Sequence, residues 1–283
     1  YWVKNHMWNP EIKLFYDVYD PVNHRIIHNV PSAQNRPLLD DAVFCKGWYL
    51  TGDDSLLQVA VDTAKTLLEN EKPQGNWIKY IPCSEQMDII HPRHAYWWGK
   101  PMLDLYEATG DRCYFECFMR SVNWYRQALR HDGGFMRGTA SDFKTDSFGH
   151  ATSGSACAVL MFLRSLKHWD GLEIREELEK GLAYCCRMQF LNPADPNLRG
   201  AILEKVLYPD GTDSSPNKHT ETHSRKATLT GLTSISILPR RSVRAHFWHL
   251  PLNRATFRSR GRRPRGLGGS GQGLQERPRR VWS

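Results

Sequence analysis

Hydrophobic and polar positions along this chain fall into paired blocks of helical length. From Leu39 to Leu50, the residues Leu39, Ala42, Val43, Gly47 and Leu50 recur at helical spacing. The block is apolar around most of its girth, which predicts a buried helix beginning just after Arg36-Pro37. Thr51-Gly52-Asp53-Asp54 breaks it: the glycine is a helix stop and an aspartate can cap the next helix. The next block, SLLQVAVDTAKTLLENE, is one-sided. Leu56, Val59, Ala60, Thr63 and Leu67 share one face, and Gln58, Asp62, Lys65 and Glu69 share the other. Lys72-Pro73-Gln74-Gly75 ends the block, and NWIKYIP predicts a short extended piece.

The same order then repeats. A shift of 58 residues lays Gly52 on Gly110, Asp53 on Asp111, Gly75 on Gly133 and Trp77 on Phe135. A second shift of 58 brings Trp48, Tyr106 and Arg164 into register, then Leu50, Ala108 and Leu166. The third copy reads ATSGSACAVLMFLRSLKHW, LEIREELEKGLAYCCRMQFL and, after a longer Pro-rich loop, LRGAILEKV. In each copy the first helix is small and apolar and the second is charged on one side, the pattern of inner and outer helices in stacked helical hairpins. The predicted class is all-α: an incomplete α/α toroid, with short β pieces at the hairpin ends and the N-terminus. Residues 1–36 form an N-terminal extension whose β-prone runs flank Asp20-Pro21-Val22-Asn23, predicting a hairpin. Residues 37–212 hold the repeats.

Charge divides the chain. Residues 218–283 carry 15 Lys and Arg against 2 Asp and Glu, a net of +13, while residues 1–217 carry 23 against 28, a net of −5. The tail, 213–283, is rich in Arg, Gly and Pro and loses the helical period. It is expected to be disordered or read out of frame, and nucleic acid is a partner only if this tail is genuine. Seven cysteines, an odd number without a CxxC pair, are expected to be buried free thiols. No apolar run has the length of a membrane span, so no membrane partner is expected. The chain begins at Tyr1 with no leader-like segment, and it is expected to be a piece of a longer protein with no localisation assigned.

The hairpin length, Asp-Asp near the start of an inner helix, Tyr-x-x-Thr-Gly-Asp ending one, and Gly-aromatic after each outer helix resemble the six-hairpin glycosidase superfamily of α/α toroids. The resemblance covers about residues 37–207, three hairpins where a closed ring has about six. It implies a carbohydrate-active relative, such as an unsaturated glucuronyl hydrolase or a polysaccharide lyase.

In such a toroid the substrate cleft lies where loops lead into inner helices. Those positions hold Arg36, Asp40 and Asp41 in the first copy, His91, Arg93, His94, Tyr96, Trp97 and Trp98 in the second, and Asp146 and His150 in the third. Asp40, Asp41, His94 and Asp146 are the candidate catalytic residues, because glycosidic chemistry needs two acid/base groups flanking the reacting bond. Arg36 and Arg93 suit a sugar carboxylate. Tyr96, Trp97 and Trp98 suit stacking on a pyranose, with one Trp expected in the core. His91 and His150 complete the candidate binding set. Two histidines three apart lack a third ligand, so no metal and no cofactor are expected. The reading is a glycoside hydrolase or polysaccharide lyase fragment acting on a saccharide, uronate-containing in one version. The alternatives are a non-catalytic helical-repeat binding scaffold and nucleic-acid binding through the tail.

Overall fold

The computed structural model describes residues 1–30, 35–144, 151–168 and 174–204. Asp146, His150 and the Arg-rich tail lie outside them. The chain opens with a short helix, α1 (Trp2–Met7), and three short antiparallel strands, β1 (Trp8–Asn9), β2 (Leu14–Tyr16) and, later, β5 (Asn35–Arg36). Their order is β1-β2-β5, with Trp8 opposite Phe15 and Phe15 opposite Arg36. Between β2 and β5, β3 (Tyr19–Asp20) pairs antiparallel with β4 (Arg25–Ile26). Asp20 Oδ1 closes their turn by accepting from the N–H groups of Val22 and Asn23. The pleat places Phe15 in the core, where it stacks on Phe44 of the first hairpin.

Three helical hairpins come next: α2 (Val43–Thr51) with α3 (Asp54–Glu69), α5 (Gly99–Thr109) with α6 (Arg112–Ala128), and α7 (Thr152–Ser165) with α8 (Arg175–Arg187), α4 (Pro92–Trp97) leading into α5. The first helices of the hairpins pack side by side, α2 on α5 and α4 on α7, so they form the inner layer of an α/α toroid. Pro101 accounts for the break between α4 and α5, since it has no N–H to give the carbonyl of Trp97. The turns inside the first two hairpins are built alike. Gly52 and Gly110 take left-handed backbone and donate to the carbonyls of Trp48 and Tyr106. Asp53 and Asp111 then cap α3 and α6 by accepting from Ser55 and Cys113.

Each hairpin also reaches the next one. Gly75 (φ 80) and Gly133 (φ 86) lie so near the following outer helix that an added Cβ would sit 2.2 Å from the Arg120 carbonyl oxygen and 2.1 Å from that of Lys180. Glu71 reinforces the first junction. Its carboxylate accepts from Arg120 Nε at 2.8 Å and Nη2 at 2.6 Å, and from the Gly75 N–H at 2.6 Å. After each glycine an aromatic or branched residue turns inward: Trp77, Phe135 and Ile202 are all buried. The trailing pieces are single bridges, not strands, among them Lys72–Trp77, Ile90–Thr139 and Gln189–Ile202.

The first inner helix departs from expectation in two ways. It begins at Val43, not before Leu39, because Asp40–Ala42 form a 3-10 turn in which Asp41 and Ala42 have φ of 52° and 54°. Nor is it buried all round. Val43 is 48% exposed and Leu50 87%, whereas Pro101 and Val159, which the repeat aligns with Val43, are buried. Apolar girth specifies burial only when neighbours stand on both sides, and among the described residues α5 has them while α2 does not. The cysteines carry no disulfide among the described residues; five are buried, Cys113 is exposed and Cys186 is half-buried.

Candidate functional site

The left-handed pair Asp41-Ala42 determines how the first carboxylates are presented. On a regular helix they would diverge by about 100° from a common axis; here the chain reverses its twist between them. For Ala this backbone costs on the order of 1–2 kcal/mol, a strain of the kind that collects at functional sites. As a result Asp40 turns into a cleft and Asp41 stays exposed, with Tyr96 Oη donating to its Oδ1 across 3.4 Å.

The cleft has a volume of about 400 Å³. One wall comes from the N-terminal extension through Trp2, Met7 and Tyr16, and the other from Asp40, Trp97 and Trp98, with Arg36 at the junction. Burial raises the Asp40 carboxyl to about 6; the charge of Asp41 adds to this and that of Arg36 opposes it. Arg36 is held in place by Asp17, whose Oδ1 accepts from Nε at 2.8 Å and Nη2 at 2.7 Å.

Helix α4 sorts the second-copy candidates by its own period. Positions 91, 94, 95 and 98 face inward and are buried; 93, 96 and 97 face outward and are partly exposed. His91 is the N-cap, its Nδ1 accepting from the Arg93 N–H at 3.2 Å. His94 is 0% exposed. Its Nδ1 lies 3.1 Å from the Trp77 carbonyl and 3.2 Å from Cys83 Sγ, and its ring packs against Trp97 and Trp98. Burial lowers its pKa to about 4, so it is neutral at ordinary pH. A ring closed off from the cleft cannot exchange a proton with a ligand there, so His94 does not stand with the aspartates in this structure. Trp98 packs edge-on against Trp77 and Tyr80, while Trp97 keeps an edge on the cleft. Arg93 lies over Trp97, its guanidinium carbon 5.0 Å from the ring centre. Burial, and then the charge of Asp41, push the Tyr96 phenol well above its usual range.

One carboxylate at this end has no counterpart among the candidates drawn from sequence. Glu204 is buried beside the start of α7, where its Oε2 accepts from the Ser153 N–H at 2.9 Å and its Oε1 from the Ser153 hydroxyl. The helix dipole favours a carboxylate there. The repeat contains the signal, since LRGAILEKV trails the third hairpin as NWIKYIP trails the first and ends at the same side of the ring. The structure thus brings together Arg36, Asp40, Trp97 and Trp98 in the cleft, places Asp41, Arg93 and Tyr96 on adjoining outward faces, and buries His91 and His94. Among the described residues no three side chains of metal-ligating type come together, and no helix is long and apolar enough to cross a membrane.

No family model matches the sequence, and no curated protein matches it. Solved structures do match in fold. A sugar epimerase from a ruminal bacterium aligns with a TM-score of 0.57 at 11% identity, over 80% of this chain and 58% of that one. Cellobiose 2-epimerase of Bacillus thermoamylovorans gives 0.55 at 10%, over 73% and 58%. An α-1,6-mannanase of Salegentibacter gives 0.51 at 15%, over 74% and 54%. The fold is therefore that of an α/α toroid, which the chain shares with these structures. The chain spans little more than half the length of these proteins.

Proposed function

We propose that this chain carries the saccharide-binding and acid-bearing part of a carbohydrate-active enzyme of glycoside hydrolase type. The observation that carries this reading is Asp40, a carboxyl lifted to about 6 inside a cleft walled by Trp97, Tyr16 and Trp2. An acid that keeps its proton close to neutral pH can protonate a leaving glycosidic oxygen, and aromatic walls suit the C–H faces of a pyranose. Asp41, presented separately by the reversed backbone, supplies the second carboxylate that glycosidic cleavage requires. The mannanase of similar fold is inactive when two adjacent aspartates are replaced. Of the adjacent aspartate pairs in this chain, Asp53-Asp54 is engaged at the turn into α3, where Asp53 caps the helix and Asp54 accepts from Trp48 Nε1. Asp40-Asp41 has no such duty. Hydrolysis is favoured over elimination because Tyr96, the nearest candidate base for a lyase, has its phenol pushed further from ionising.

The test is turnover of a panel of oligosaccharides by the chain and by Asp40→Asn and Asp41→Asn. Hydrolysis is expected to fall by about 10²-fold or more in Asp40→Asn, and the wild-type rate to decline as pH rises through about 6. Turnover that survives both substitutions would falsify this site assignment. Binding of saccharide without turnover by the unaltered chain would instead favour the scaffold reading. Asp40→Asn also has a signature in stability. The folded pKa lies above the unfolded value, so the native state loses stability as pH rises through about 6. The substitution should therefore stabilise the fold at pH 8 by about 3 kcal/mol and change little at pH 3.

A further inference from the structure

Two carboxylates and one guanidinium line the cleft together: Asp17, Asp40 and Arg36. Asp17 takes the guanidinium from one edge, its Oδ1 accepting from Nε at 2.8 Å and from Nη2 at 2.7 Å. Among the described residues Arg36 forms no ion pair with Asp40.

Asp17 stands at a repeated position. Lys13, with φ 56°, has the left-handed backbone of Gly75, Gly133 and Gly200, and its Nζ lies 3.9 Å from Asp62 on the outer helix α3. Two residues beyond each of the four, a side chain turns into the core: Phe15, Trp77, Phe135 and Ile202. Asp17 is the fourth residue after Lys13, as Glu204 is after Gly200. Glu204 braces the start of α7 through Ser153, and Asp17 braces the approach to the first hairpin through Arg36.

Two acids beside one cation compete for it. A guanidinium free to turn toward Asp40 would favour the ionised carboxylate, whereas one already neutralised by Asp17 does so far less. Burial then governs the state of Asp40, and the charge of Asp41 acts in the same direction. Of the other described residues lining the cleft, Tyr16 from β2 alone is titratable, and α4 presents two indoles, Trp97 and Trp98.

Resting on the acid role given to Asp40 above, we propose that Asp17 is a positioning residue for that acid: it holds the Arg36 guanidinium so that this cation does not pair with Asp40. Asp17 acts through Arg36 and not on the saccharide. The N-terminal extension thereby sets the protonation of a group that belongs to the first hairpin.

The experiment titrates the Asp40 carboxyl by NMR in chain labelled with isotope-enriched aspartate, without substrate; its signal is the one missing from Asp40→Asn. Asp17→Asn keeps an acceptor for Arg36 and removes the charge, and Asp17→Glu keeps the charge. Circular dichroism checks the fold of each. The unaltered chain is expected to titrate at about 6. Asp17→Asn should lower that midpoint by about one pH unit, the small end of what an opposite charge does, because the Arg36 side chain is 41% exposed. Asp17→Glu should restore it. Arg36→Gln should raise it, and in that background Asp17→Asn should lower it much less. Turnover by Asp17→Asn should drop about tenfold at pH 7 and change little at pH 4, since only the protonated acid serves. An unmoved midpoint in Asp17→Asn overturns the proposal, as does an equal fall with and without Arg36. If Asp17→Asn does not fold, Arg36→Gln decides: a raised midpoint supports the proposal, and an unmoved or lowered one overturns it. The expected midpoints in a chain that turns over no saccharide remove the hydrolase reading and leave the hold of Asp17 on Arg36 standing. Turnover with an unmoved midpoint does the reverse.

Discussion

Gly110 and Gly133 sit 23 residues apart in one hairpin unit, and both hold left-handed backbone, φ 77° and 86°. Their surroundings have nothing in common. Among the described residues a Cβ at Gly110 would meet no atom within 4 Å; one at Gly133 would collide with the Lys180 carbonyl. The first glycine serves the chain's own turn, and the second serves the approach of a neighbour. The 58-residue spacing preserves both, so a repeat in sequence records two kinds of requirement at once: how a hairpin folds back, and how closely the next may lie.

That contrast can be tested by urea unfolding, read as a midpoint shift at constant slope. Gly133→Ala should show the largest effect, a loss of about 4 kcal/mol or more, since left-handed strain adds to a backbone collision that no rotamer relieves. Gly75→Ala should match it, because Arg120 stands where Lys180 does. Glu71→Gln comes next, at about 2–3 kcal/mol: it weakens a buried carboxylate's contacts with Arg120 and the Gly75 N–H, discounted because Arg120 is partly exposed. A double cycle with Arg120→Ala should show strong coupling. Gly110→Ala should cost only about 1–2 kcal/mol, the conformational term alone. Gly200 sharpens the point. It has φ 86° and occupies the third-copy position of Gly133, yet among the described residues the nearest atom to an added Cβ is Gln189 Nε2 at 3.9 Å. Gly200→Ala should therefore behave like Gly110→Ala; a loss as large as that of Gly133→Ala would show another helix lying against it.

The same distinction explains what is legible in the sequence. Hairpins, caps and stops are legible because they depend on local chemistry: Gly52 and Asp53, Gly110 and Asp111 are turn and cap by residue type. The burial of α2 is not, since Val43 and Leu50 are apolar regardless of whether a helix stands beside them. Within the candidate site, Asp40 and Trp97 are marked by position at an inner-helix start. His94 enters the candidate set only by its place at an inner-helix start. With a helical period, positions 91, 94, 95 and 98 form the inward face, and both histidines fall on it. The left-handed Asp41-Ala42 has no signal at all, because alanine is among the last residues one would expect there.

The glycine junction is also polar along the chain. Gly75 closes on a helix made about 45 residues later, and Gly133 on one about 47 later. During synthesis from the N-terminus, each hairpin thus emerges with its trailing loop unsealed and is sealed by its successor. Growth of the ring is a one-way zipper: the newest unit is always the least secured, and each added unit secures the one before it.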